Sequence, residues 1–251
     1  MKISRKILCI GIGALCAVAS AMLAQAQEDD GHLLNLYKLH VKIGHDSEFR
    51  DAMAAWKSCY LENDGEAGWG VWRRVQGEGS VYTISFNTPN WADMDSEDPA
   101  GQACQSVIRD RIDPNLSGVT TMVARYMPET SGNASDYGVV EVYSFDVDDL
   151  RAFNDVIKAV TDVMGEDGHG NSGHWYDVRG GGPGVEDYFV VSTYKNFAAM
   201  DEDRPGVWER YEKVHGEAAT EAIREKFGDS LDRSWSYIYS RIDGLSHRAS
   251  E

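Results

Sequence analysis

Positive charge is scarce in this chain. Its 251 residues carry 24 Lys and Arg against 41 Asp and Glu, a formal net charge of −17. Lys2, Arg5 and Lys6 sit in the first 26 residues, and the remainder carries −20 without them. So acidic a surface repels phosphate backbones and anionic lipid. Nucleic acid is excluded as a partner and, after loss of the leader, so is a membrane.

Cysteine is nearly as scarce, with 4 in the chain. Cys9 and Cys16 belong to the leader, which leaves Cys59 and Cys104. An isolated pair is a poor metal site, and no metal is expected. In an exported chain the pair invites one disulfide. Catalytic fingerprints are absent as well: there is no Ser-His-Asp nucleophile motif, P-loop or dinucleotide fingerprint. The glycine-rich 180–184 lacks a following Lys-Ser/Thr and a helix, so it reads as a turn.

Residues 1–26 read as a signal peptide. A basic start precedes an uncharged apolar run at 7–23, and Ala24-Gln25-Ala26 is a small-x-small cleavage site. The run is short of the roughly 20 residues of a membrane span, which favours cleavage over an anchor. Gly13-Ala14-Leu15 before Cys16 is a poor lipoprotein box. A periplasmic or secreted product is expected.

What the chain does have is a stretch written twice. At an offset of 106, Trp69 falls on Trp175, Arg73 on Arg179, Tyr82 on Tyr188, Met94 on Met200 and Pro99 on Pro205. Tyr37 and Val41 fall likewise on Tyr143 and Val147. Shared Trp and Met at one offset indicate an internal duplication, with units at 32–129 and 136–245 and a Pro/Ser/Gly/Asn linker at 128–135.

Each unit reads β-α-β-β-α-β. In the first, 36–41 alternates as a strand, with Lys38 and His40 opposite the apolar face. Asp46 stands as a helix cap before Phe49, Met53, Trp56 and Tyr60. Strands follow at 69–75 and 80–87, a helix opens at Pro99 and runs to about 112, and 120–127 closes the unit. The second has strands at 137–147, 174–179, 187–194 and 235–242. Asp148-Asp149 caps its first helix, and a long helix at 205–227 carries Trp208, Tyr211 and His215 on one stripe. Such a unit is an α+β, ferredoxin-like sheet with helices on one face. Bulky residues also occupy the other face, which needs a partner, and a second copy supplies one, sheet on sheet.

At this point the chain resembles the dimeric α/β-barrel superfamily in a fused two-repeat form, making an intramolecular barrel. That superfamily includes antibiotic-biosynthesis-type monooxygenases, stress-responsive barrel proteins and haem-binding chlorite-dismutase-like proteins. In such a unit the end of the first helix lies near the start of the second, which places Cys59 beside Cys104 for a disulfide. The resemblance implies that His40 and Asp146 would share a cavity for proton transfer on a quinone- or phenol-like substrate. It also implies haem, with His215 as the helical ligand, although no cofactor is expected from the motifs themselves.

Other candidates are ligand-binding. Lys38 faces the central space. Arg73 with Arg179, and Arg125 with Arg241, would form a cationic ring for a carboxylate if they turned inward, or pair with surface Asp and Glu if they did not. Trp69 and Trp175 would stack on a flat ligand or pack in the core. Glu166, Asp167, His169 and His174 have metal-ligand chemistry, but the intervening glycines fit a solvated loop. The expected function is binding of a small apolar or aromatic molecule. A cofactor-free monooxygenase or isomerase is the enzymatic alternative, and a structural or interaction protein the third. Assembly into a homo-oligomer is left open.

Overall fold

Strand alternation decides the architecture. In β1 (Leu33–Val41), Leu33, Asn35, Leu39 and Val41 are buried on one face, and Leu34, Leu36 and Lys38 face the other way. The computed structural model describes residues 31–132, 137–166 and 173–249. The expected leader and parts of the expected linker and of the glycine-rich loop lie outside the described residues.

The remaining strands are β2 (Gly70–Arg74), β3 (Ser80–Thr88), β4 (Leu116–Tyr126), β5 (Val139–Val147), β6 (His174–Gly181), β7 (Tyr188–Tyr194) and β8 (Leu231–Arg241). They close into one antiparallel barrel in the order β1-β3-β2-β8-β5-β7-β6-β4. The intramolecular barrel that the resemblance implied is present, and the facing sheets meet at their edges. β2 pairs with β8 and β4 with β6, so the edges of each half are joined into one wall. Closure satisfies the backbone groups that two open sheets would leave at their edges.

The helices lie outside. α1 (Asp46–Glu62) buries Phe49, Ala52 and Met53 against Leu39, Val41, Val71 and Tyr82. Each large side chain fully buried there contributes roughly 1.5–3 kcal/mol. Asp46 is not the cap. The N-cap is His45 without a side-chain bond, and Asp46 instead accepts from Tyr82 Oη at 2.7 Å and Ser80 Oγ at 2.9 Å. α2 (Pro99–Ala103) is capped by Asp98, which accepts from the Gly101 N–H at 3.0 Å. A π-helical turn follows at Ile108–Ile112. In the second half, α3 (Leu150–Glu166) is capped by Asp149. The single long helix expected at 205–227 is two helices, α4 (Val207–His215) and α5 (Glu217–Asp229). Gly216 breaks it at φ 81°, a conformation that other residues rarely adopt. Among the described residues no helix is long and apolar enough to cross a membrane.

Cys59 and Cys104 form the expected disulfide, with Cα atoms 5.9 Å apart, and tie α1 to the residue after α2 across a separation of 45 residues. Reduction is expected to cost about 3 kcal/mol, read as a lower urea midpoint in dithiothreitol and matched by Cys59→Ser/Cys104→Ser.

Candidate ligand-binding site

The inward-facing side chains do not fill the barrel. They leave a cavity of about 940 Å³. Its wall is mostly apolar and aromatic, including Leu34, Leu36, Trp72, Val142, Phe189 and Val191. Strand direction gives the cavity two ends. Alternating directions put the ends of β1, β2, β5 and β6 at one rim and their starts at the other.

The first rim is closed by charge. The loop between β6 and β7 carries Glu186 into the barrel, where it is 4 % exposed. Lys38 Nζ donates to Glu186 Oε1 at 3.1 Å and Oε2 at 3.2 Å, and Ser144 Oγ donates to Oε1 at 3.2 Å. A buried carboxylate requires such partners. Tyr239 stands in the same wall, and burial pushes its hydroxyl up to about 12.

The second rim is aromatic. His174 starts β6 and faces the cavity, with Tyr137 and Tyr126 rings at 6.3 and 6.0 Å. Its Nε2 is buried without a hydrogen-bond partner. Burial, reinforced by His32, lowers its pKa and favours the neutral imidazole. The C-terminal segment crosses this rim. His247 pairs with Trp69, and Asp243 and residues 246–249 line the opening. A depressed folded-state pKa contributes stability above the unfolded imidazole value, and this is lost as pH falls through it. The unfolding midpoint is therefore expected to drop between about pH 7 and pH 5.5 more steeply than that of His174→Phe.

The structure distributes the sequence candidates unevenly. Lys38, Trp69 and Arg241 border the cavity. Arg241 Nε is also 2.6 Å from Asp243 Oδ1. Trp69 packs on Trp56 and Tyr60 and donates Nε1–H to Leu245 O at 2.9 Å. Trp175 lies on the outer side of the wall beside Phe145 and Phe153. Arg73 and Arg179 are half-exposed beside Asp46 and Asp177. His40 is exposed, while Asp146 binds Arg233, whose Nε lies 2.8 Å from Oδ2. Neither lines the cavity, and β1 and β5 stand four strands apart, on opposite walls.

The pairing also redraws the cationic ring. Arg73 pairs with Tyr82, but Asp177, not Arg179, pairs with Tyr188. The second hairpin is two residues longer, and that longer loop is the one that delivers Glu186. Arg125 pairs with Leu33 and faces outward, whereas the backbone position of Arg241, bonded to Gly138 O, corresponds to that of Tyr126, bonded to His32 O. Among the described residues no group of three metal-ligating side chains gathers. Asp167 and His169 lie outside the described residues.

Haem does not fit at His215. The residue is exposed at the end of α4, with its ring 4.4 Å from that of Tyr211. The space between wall and helices in that half is filled by Phe145, Phe153, Trp175 and Phe227, in ring contact at 5.6–6.4 Å.

Against solved structures, the barrel matches over most of its length. A proposed monooxygenase from Lactobacillus acidophilus superposes with a TM-score of 0.52 at 11 % identity, over 84 % of this chain and 94 % of that one. The chain has the dimeric α/β-barrel fold. An anthrone oxidase-like protein matches this barrel at 0.52 and 10 %, over 89 % and 95 % of the two chains. A chlorite dismutase variant from Candidatus Nitrospira defluvii matches it at 0.50 and 9 %, over 85 % and 92 %. No protein-family model and no curated protein sequence matches the barrel.

Proposed function

We propose that the protein is exported and encloses a small apolar or aromatic molecule inside a fused pair of ferredoxin-like units, 32–129 and 136–245. The observation that carries this reading is the 940 Å³ cavity with an apolar, aromatic wall and one closed, charged rim. Sites of this kind are concave, mostly apolar and carry a few placed polar groups. The duplication is supported by matched irregularities: β1 and β5 each shift register at the same step, His40/Val41 and Asp146/Val147, 106 residues apart. Export, with cleavage near Ala26, is supported by the leader and by the Cys59–Cys104 bridge.

The test uses N-phenyl-1-naphthylamine, a neutral dye that brightens in apolar surroundings. One dye per chain is expected to bind, and Val142→Trp/Val191→Trp, which fills the cavity, is expected to abolish binding while a cooperative unfolding transition persists. Unchanged dye binding in that variant would overturn the reading.

His174 favours a second reading, a cofactor-independent oxidase or isomerase. Its imidazole faces the cavity with Nε2 buried and unpartnered, and burial favours the neutral form, which suits a base that removes a proton from a bound carbon or hydroxyl acid. In this role it replaces the separated His40 and Asp146. Anthrone, the compound in one neighbour's name, is the probe: with O₂ it would give anthraquinone and water. Turnover is expected to fall at least about 100-fold in His174→Gln with dye affinity retained. No rate above the uncatalysed one in the unaltered chain would remove this reading.

A further inference from the structure

The closed rim retains unused bonding capacity. Lys38 and Thr83 sit side by side on the inner wall, paired across β1 and β3. Thr83 in turn pairs with Trp72 across β3 and β2, so the polar pair adjoins an indole. Glu186 is satisfied, holding Lys38 and Ser144. Lys38 is not exhausted by that bond. Its ammonium has three donors, and its side chain is 24 % exposed while lining the cavity. Thr83 Oγ1 is buried and lines the cavity beside the Tyr239 hydroxyl, and the contact between the two falls short of a full hydrogen bond. A buried hydroxyl so incompletely paired is unfavourable, and a bound molecule that bonds to it reduces that penalty.

Resting on the binding reading above, the geometry points to a subsite for one neutral oxygen function, a hydroxyl or carbonyl on an apolar ring body, held between Lys38 Nζ and Thr83 Oγ1. Lys38 donates to that oxygen. Thr83 donates to a carbonyl or accepts from a hydroxyl. The ring body then extends toward the aromatic rim along Trp72, Val142 and Phe189. The same arrangement discriminates against acids. A carboxylate would bring a second negative charge beside Glu186, whose neutralisation by Lys38 is already complete in number. The favoured ligand is therefore a phenol or ketone, not the carboxylate that a ring of arginines would have selected.

Displacement of N-phenyl-1-naphthylamine from the full chain by naphthalene, 2-naphthol and 2-naphthoate tests this. 2-Naphthol is expected to compete about tenfold more tightly than naphthalene, the gain of one hydrogen-bonded oxygen in a desolvated site. 2-Naphthoate is expected to do no better than naphthalene. Thr83→Val, which keeps the side-chain shape, should bring 2-naphthol to within about threefold of naphthalene and leave naphthalene unchanged. Lys38→Met/Glu186→Met, which removes both charges together, should do the same and guards against a single variant that fails to fold. Equal competition by naphthalene and 2-naphthol in the unaltered chain would overturn the subsite, as would a preference surviving Thr83→Val. Both leave the cavity reading standing, because naphthalene and 2-naphthol still displace the dye. Tighter binding of 2-naphthoate would overturn the neutral-oxygen assignment. Failure of all three to displace the dye would overturn the subsite and the binding reading together.

Discussion

Lys38→Met is expected to lower the folding free energy by about 3 kcal/mol. The loss does not come from the ion pair's own attraction, which desolvation largely offsets. It comes from what the substitution strands: Glu186, 4 % exposed, would keep its charge inside the barrel with only the Ser144 hydroxyl to bind it. The chain would then carry an unpaired buried charge or expel the loop that carries it. Lys38→Met/Glu186→Met should recover most of the loss, since no charge remains to be solvated. Urea unfolding of the two variants checks this. A loss below about 0.5 kcal/mol in the single variant would mean that Glu186 is solvated and the rim is not closed.

Phe153→Ala is expected to be at least as damaging, at about 3–5 kcal/mol. Phe153 is 0 % exposed on α3, and its ring touches those of Phe145, Trp175, Tyr188 and Phe227. Four rings would lose a shared neighbour, and rigid aromatics held by separate strands and helices collapse poorly into the void. The same unfolding measurement applies. A small loss, below about 1 kcal/mol, would mean that this half holds slack space between wall and helices and would reopen the question of what occupies it.

Element order was readable because alternation and helical spacing are local signals. The strand at 36–41, the helix from Asp46 and the cysteine pair emerge in place. The break at Gly216 was missed because Trp208, Tyr211 and His215 keep helical spacing right up to it. Closure of the barrel was legible only through the resemblance, because edges meeting between halves is a long-range event without a local signature. Parity told correctly that Lys38 faces inward, but it fixes only the face, not the height along the barrel. His40 has the same parity and stands at the exposed rim, two residues too far. Glu186 was invisible for a different reason: it follows a glycine run that reads as a turn, and only the mismatch between hairpin lengths reveals that the second loop has residues to spare. His174 stands at the start of the strand expected at 174–179, but its chemistry was weighed with the loop before it, as a metal-ligand type. The alternation of His174 and Tyr176 with Trp175 and Asp177 is the signal that would have turned it toward the cavity.

Whether the barrel interior is a binding site can be measured most directly by methyl NMR of the full chain titrated with 2-naphthol. Saturable shifts are expected at Leu36, Val142 and Val191, whose side chains line the cavity, with the exposed Ile43 and Val119 unmoved. Shifts confined to Ile43 and Val119, or no shifts at millimolar probe, would contradict a binding site in the barrel interior.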